Sequence, residues 1–81
     1  MELNQKTLID YIRKEYESLT NPVYFQYGYQ THSEAFYRLL ALDGIVAKFN
    51  LGHEGSVLDR DILAAMAHLK QWCDEHHSWG F

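Results

Sequence analysis

Residues 31–51 read THSEAFYRLLALDGIVAKFNL, and two incompatible structures can be written onto them. FYRLLAL and IVAKFNL flank Asp43-Gly44, a dipeptide that tolerates positive φ and suits the two-residue turn of a β-hairpin. Pairing Leu42 with Ile45 then puts Phe36, Leu40, Leu42, Ile45, Ala47, Phe49 and Leu51 on one face, with Arg38 the charge among them. Against this, Thr31-His32-Ser33-Glu34 has the form of a capping box, and good helix formers follow it, so residues 32–43 read equally as a helix. The preceding segment tips the balance toward the hairpin. VYFQYGY, from Val23 to Tyr29, is rich in β-branched and aromatic residues and alternates as a strand would, and a strand needs neighbours for its backbone groups.

Outward from this centre both ends are helical in pattern. Asn4 is placed to cap a helix running from Gln5 to about Leu19, with Leu8, Ile9, Ile12, Tyr16 and Leu19 at helical spacing and Asn21-Pro22 as its stop. Ser56 opens a second helix, with Asp59 at the capping-box position. It carries Leu58, Ile62, Ala65, Leu69 and Trp72 as a buried stripe to about His76. Trp79 and Phe81 are expected to fold back onto the domain, because leaving both exposed forgoes apolar burial. The expected fold is therefore α+β: an N-terminal helix, a three-stranded antiparallel meander and a C-terminal helix (αβββα), both helices on one sheet face. At 81 residues and 9.5 kDa, residues 1–81 form a single small domain with room for one core.

The order helix, three strands, helix resembles the double-stranded-RNA-binding domain in topology. That family clamps phosphates with basic residues at the start of its second helix, where this chain carries Glu54, Asp59, Arg60 and Asp61. Seven basic residues against eleven acidic ones give a net charge of -4, which disfavours nucleic acid and anionic lipid as partners. No apolar run approaches a membrane span or a signal-like core, and Cys73 is the single cysteine. A cytoplasmic protein without disulfides is the expectation.

Candidate chemistry is sparse. Cys73 stands three and four residues from His76 and His77, with His68 and His53 as further nitrogen donors, yet no metal-binding spacing accompanies them and no cofactor is expected. Asp74 and Glu75 beside Cys73 oppose a reactive thiolate, and no oxyanion loop adjoins it, so enzyme activity is not expected. LGHEGS lacks the lysine and spacing of a phosphate loop.

The most informative expected feature is a face. With both helices on one side of the meander, the other side displays Tyr24, Tyr37, Leu39 and Val46 beside Gln26 and Lys48. Such an apolar patch implies a partner, with tyrosines as anchors. The expected function is a small acidic, non-catalytic protein-binding module of the inhibitor, immunity or adaptor kind, bacterial or phage in type, docking on a larger basic partner. Two alternatives share the same residues: a nucleic-acid-binding module in which Tyr24, Tyr27 or Tyr37 stacks on bases, and a homodimer joined through the apolar face.

Overall fold

The computed structural model describes residues 4–79, and among them no strand forms. The chain instead builds α1 (Gln5–Leu19), α2 (Pro22–Gln26), α3 (His32–Lys48) and α4 (Gly52–His76). The expected αβββα fold and its antiparallel sheet are thus incorrect, and the helical alternative for residues 32–43 is the one realised, extended to Lys48.

The reason lies in a stripe that the hairpin reading divided between two faces. Ala35, Leu39, Leu42 and Val46 are buried and recur at intervals of four, three and four residues, the spacing of one face of a helix. They pack against the matching stripe of α4, Leu58, Ile62, Met66, Leu69 and Cys73. A helical hairpin of this kind buries both stripes with backbone groups already satisfied, whereas a strand leaves ladder donors and acceptors to be paired. Local signals agree at the start of α3. The Thr31 hydroxyl accepts the amide of Glu34 at 3.1 Å, and the Glu34 carboxylate pairs with Arg38 at 2.8 Å one turn on.

Asp43-Gly44 sits inside α3 rather than at a turn, and Gly44 takes no positive φ. The turn falls later, at Phe49 to Leu51, where Gly52 adopts φ +71°, a conformation that favours glycine. α4 therefore starts four residues before the expected Ser56, with Leu51 as its N-cap and no side-chain capping bond.

VYFQYGY is likewise not a strand. The Asn21 side chain accepts the amide of Val23 at 3.0 Å with Pro22 in the first turn, so the pair expected only to stop α1 also starts α2. α1 buries Ile9, Ile12 and Leu19 against the α3–α4 hairpin. Its cap is as expected, with the Asn4 side chain accepting the Thr7 amide at 2.9 Å. Gln5 Nε2 donates to the Leu51 carbonyl at 2.7 Å, fixing the start of α1 to the α3–α4 turn. The molecule is elongated, 40 × 21 × 17 Å, because the 25 residues of α4 run nearly its full length at 1.5 Å each.

Gly44 within α3 and Gly55 within α4 have opposite surroundings. A Cβ at Gly44 meets nothing within 4 Å, while one at Gly55 would collide with the Leu51 side chain. Gly44→Ala should therefore stabilise the protein by about 0.5–1 kcal/mol through helix propensity. Gly55→Ala should cost about 1–3 kcal/mol by overpacking. Chemical denaturation checks both, and a destabilised Gly44→Ala would return the Asp43-Gly44 turn.

Asp43 Oδ1 is buried without a conventional donor. Its partner is Asp59 on α4: a hydrogen bond to that carboxyl, then burial, then the Asp59 charge, raise the Asp43 pKa to about 6. The folded chain thus holds a shared proton that the unfolded chain releases near pH 4. Stability from this pair is complete below pH 4 and is lost as pH rises through about 6. Asp43→Asn should remove a loss on the order of 1–3 kcal/mol between pH 4 and 7, measured by denaturation at each pH.

Candidate interaction surface

With a sheet absent, the expected docking face does not exist as a unit. Leu39 is 0% exposed and Val46 7%, both core residues of the α3–α4 seam, so neither can touch a partner. This corrects two of the six candidate residues, and the physical reason is the helical period that turns both inward. Tyr24 and Gln26 remain exposed, together on α2. Tyr37 is exposed on α3, where it meets Phe36 and Trp79 edge to face. Lys48 is exposed at the far end of α3, three helical turns from Tyr37.

A different surface emerges at α2. Tyr24, Tyr27 and Tyr29 are 38%, 66% and 76% exposed, and Val23 beside them is exposed too. Their rings touch, Tyr24 to Tyr29 at 6.3 Å between centroids and Tyr27 to Tyr29 at 6.4 Å. The backbone makes this cluster possible. Gly28 turns the chain at φ +76°, and the Tyr24 carbonyl accepts the amide of Tyr29 at 2.8 Å. Gln30 Nε2 donates to the Ser18 and Leu19 carbonyls, each at 3.3 Å, tying the returning chain to the end of α1. The result is a knuckle of three outward tyrosines. Beside it Tyr24, Tyr29, Arg38 and Glu15 line a shallow cleft.

What holds the knuckle down is a column of rings. No residue of α2 is buried, but Phe25 stacks on His32 at 4.3 Å. His32 stacks on Trp72 of α4 at 3.5 Å, and Trp72 on His76 at 4.0 Å. His76 Nδ1 lies 2.9 Å from the Trp72 carbonyl, placing the ring proton on that nitrogen. The column walls a mostly apolar groove of about 560 Å³ that Tyr16, Ala64, Ala65, His68 and Asp61 complete.

The expected metal and nucleophile candidates are dispersed. Cys73 is wholly buried in the α4 stripe, and burial followed by the Asp74 charge pushes its thiol pKa up. His76 faces Trp72, and His77 occupies the left-handed cap of α4 at φ 52°. Among the described residues no three His, Cys, Asp or Glu side chains gather as ligands would. Trp79 folds back as expected: its Nε1 donates to Asp74 at 2.6 Å and its ring meets Phe36. Phe81 lies outside the described residues. No helix among them is long and apolar enough to cross a membrane.

Tyr27 and Tyr29 were not among the residues of the expected docking face, yet they are more exposed than Tyr24 or Tyr37. The cue was Asn21-Pro22, which starts a helix as readily as it ends one. Nothing in the spacing of His32 and Trp72, forty residues apart, signals their contact. No protein-family model matches the chain, and no curated protein or solved structure matches it.

Phe25→Ala removes the ring through which α2 meets the column. Stability should fall by about 1–3 kcal/mol, and chymotryptic cleavage after Tyr24 and Tyr27 should accelerate well before global unfolding. Cleavage rates in native buffer are the readout.

Proposed function

We propose that the chain is a non-catalytic protein-binding module that seats its tyrosine knuckle in a larger protein. The observation that carries the reading is the exposure of Tyr27 and Tyr29, adjacent and ring to ring, on a turn anchored at both ends. Tyrosines placed this way offer large rigid apolar area with a polar tip, at small entropic cost on binding. Leaving three of them in water on so small a chain has no folding benefit, since the core is complete beneath them.

The partner that fits carries a basic rim. The cleft beside Tyr24 and Tyr29 offers one charge of each sign, Glu15 and Arg38, and the chain's charge of -4 favours association with a positive surface. The same charge argues against a phosphate backbone as the ligand. The single buried thiol suits a reducing cytoplasmic setting.

The test is affinity capture from the source cell at pH 7.5 with a Tyr27→Ala/Tyr29→Ala double variant. Both side chains are exposed, so stability should stay within about 0.5 kcal/mol of the parent. Partner recovery should fall about tenfold or more, while Tyr11→Ala, on exposed α1 surface, should leave it intact. Equal recovery with and without the knuckle tyrosines overturns the reading, and light scattering that gives a dimer would reassign the surface to self-association.

A further inference from the structure

We propose that the groove where all four helices meet is a binding site for a small amphipathic amine, its aromatic ring laid against Phe25, His32 and Trp72 and its ammonium group held by Asp61. The site is separate from the tyrosine knuckle, because Tyr24, Tyr27 and Tyr29 take no part in its walls.

A second face of α4 shapes the groove. Asp61, Ala64, Ala65, His68 and Trp72 follow one another at helical spacing beside the stripe that packs on α3. Two alanines in the middle of that face leave a low floor. Tyr16 of α1 supplies another wall, and Pro22 and Phe25 of α2 close one end. The volume of about 560 Å³ lies within the range of small-molecule sites, on the order of 300–1,000 Å³.

The two ends differ in chemistry. At one end the rings are nearly parallel, 19° between Phe25 and His32 and 9° between His32 and Trp72, so the faces of His32 are spent on its neighbours. What is left to meet the groove is ring edge. Aromatic edges carry the positive part of the ring quadrupole and attract the negative face of another ring, so an aromatic group fits here in edge-to-face contact. At the other end stands Asp61, half-buried, with no hydrogen-bond or ion-pair partner among the described residues. It is the one acidic side chain of the groove, and no lysine or arginine lines the walls among those residues. A half-buried carboxylate in this position favours a cation that brings its own hydrogen-bond donors, and an ammonium group brings three. An anionic ligand of the same shape meets the Asp61 charge with no basic side chain in the walls to offset it.

Length selects the ligand further. Trp72 lies about 16 Å beyond Asp61 along the axis of α4, and Ala64 and Ala65 between them offer no side-chain hydrogen bond. A ring and a charge joined by an apolar chain reach both ends. A compact cation reaches one.

Calorimetric titration of the full chain at pH 7.5 tests the site with phenylhexylammonium, its neutral analogue phenylhexanol and the short benzylammonium, while amide NMR shifts locate whatever binds. Phenylhexylammonium should bind about tenfold or more tighter than either comparison ligand, with its largest shifts at Ala64, Ala65 and His68. Asp61→Asn keeps the shape of the side chain and should bring the ammonium down to the affinity of the alcohol. Ala64→Leu, at an exposed position, raises the floor and should weaken phenylhexylammonium and phenylhexanol alike. Equal affinity for ammonium and alcohol, an ammonium advantage that survives in Asp61→Asn, full affinity in Ala64→Leu, or shifts centred on Tyr27 and Tyr29 each overturn the site. Capture through the knuckle is decided separately from all of these outcomes.

Discussion

Everything in the molecule is built on the apposition of two apolar stripes, Ala35, Leu39, Leu42 and Val46 on α3 against Leu58, Ile62, Met66, Leu69 and Cys73 on α4. In so small a domain no second core exists to compensate for a fault in the first. The stripe sets where Leu39 and Val46 point, keeps Gly44 helical despite its propensity, and places Trp72 over His32. α1 then closes the remaining side with Ile9, Ile12 and Leu19. α2 is left as an appendage, which is why its tyrosines can be outside.

The legible parts of the sequence were those in which one period had no competitor. α1 with its Asn4 cap was legible, and so were Leu58, Ile62 and Leu69 of the α4 stripe, although Met66 and Cys73 are its other buried members while the expected Ala65 and Trp72 are half-buried. Residues 23–51 were misread because β-branched and aromatic content, an Asp-Gly dipeptide and an alternating pattern all suggested strands while each is also compatible with a helix once a partner stripe exists. The decisive quantity, burial of positions 35, 39, 42 and 46 on α4, is tertiary, and local propensity yields to it. Thr31 was a correct local signal outweighed by an incorrect assumption that VYFQYGY needed strand neighbours. Tyr24 and Tyr37 survived as surface residues despite this, whereas the ring column was invisible because its members are brought together only by the completed bundle.

The two ionisable contacts at the helix crossings oppose one another. Asp43 with Asp59 grips its proton at the α3–α4 seam, while His32 rejects one beside α2. Mild acid therefore tightens the α3–α4 seam.

The bond from Gln5 to the Leu51 carbonyl spans 46 positions of chain, whereas α3 and α4 are joined by a turn of three residues, 49–51. Loop-closure entropy grows with that separation, so the hairpin can zip from its short turn while α1 must wait for a finished groove. In this topology the α3–α4 hairpin closes from a short turn, and α1 docks across the longer span.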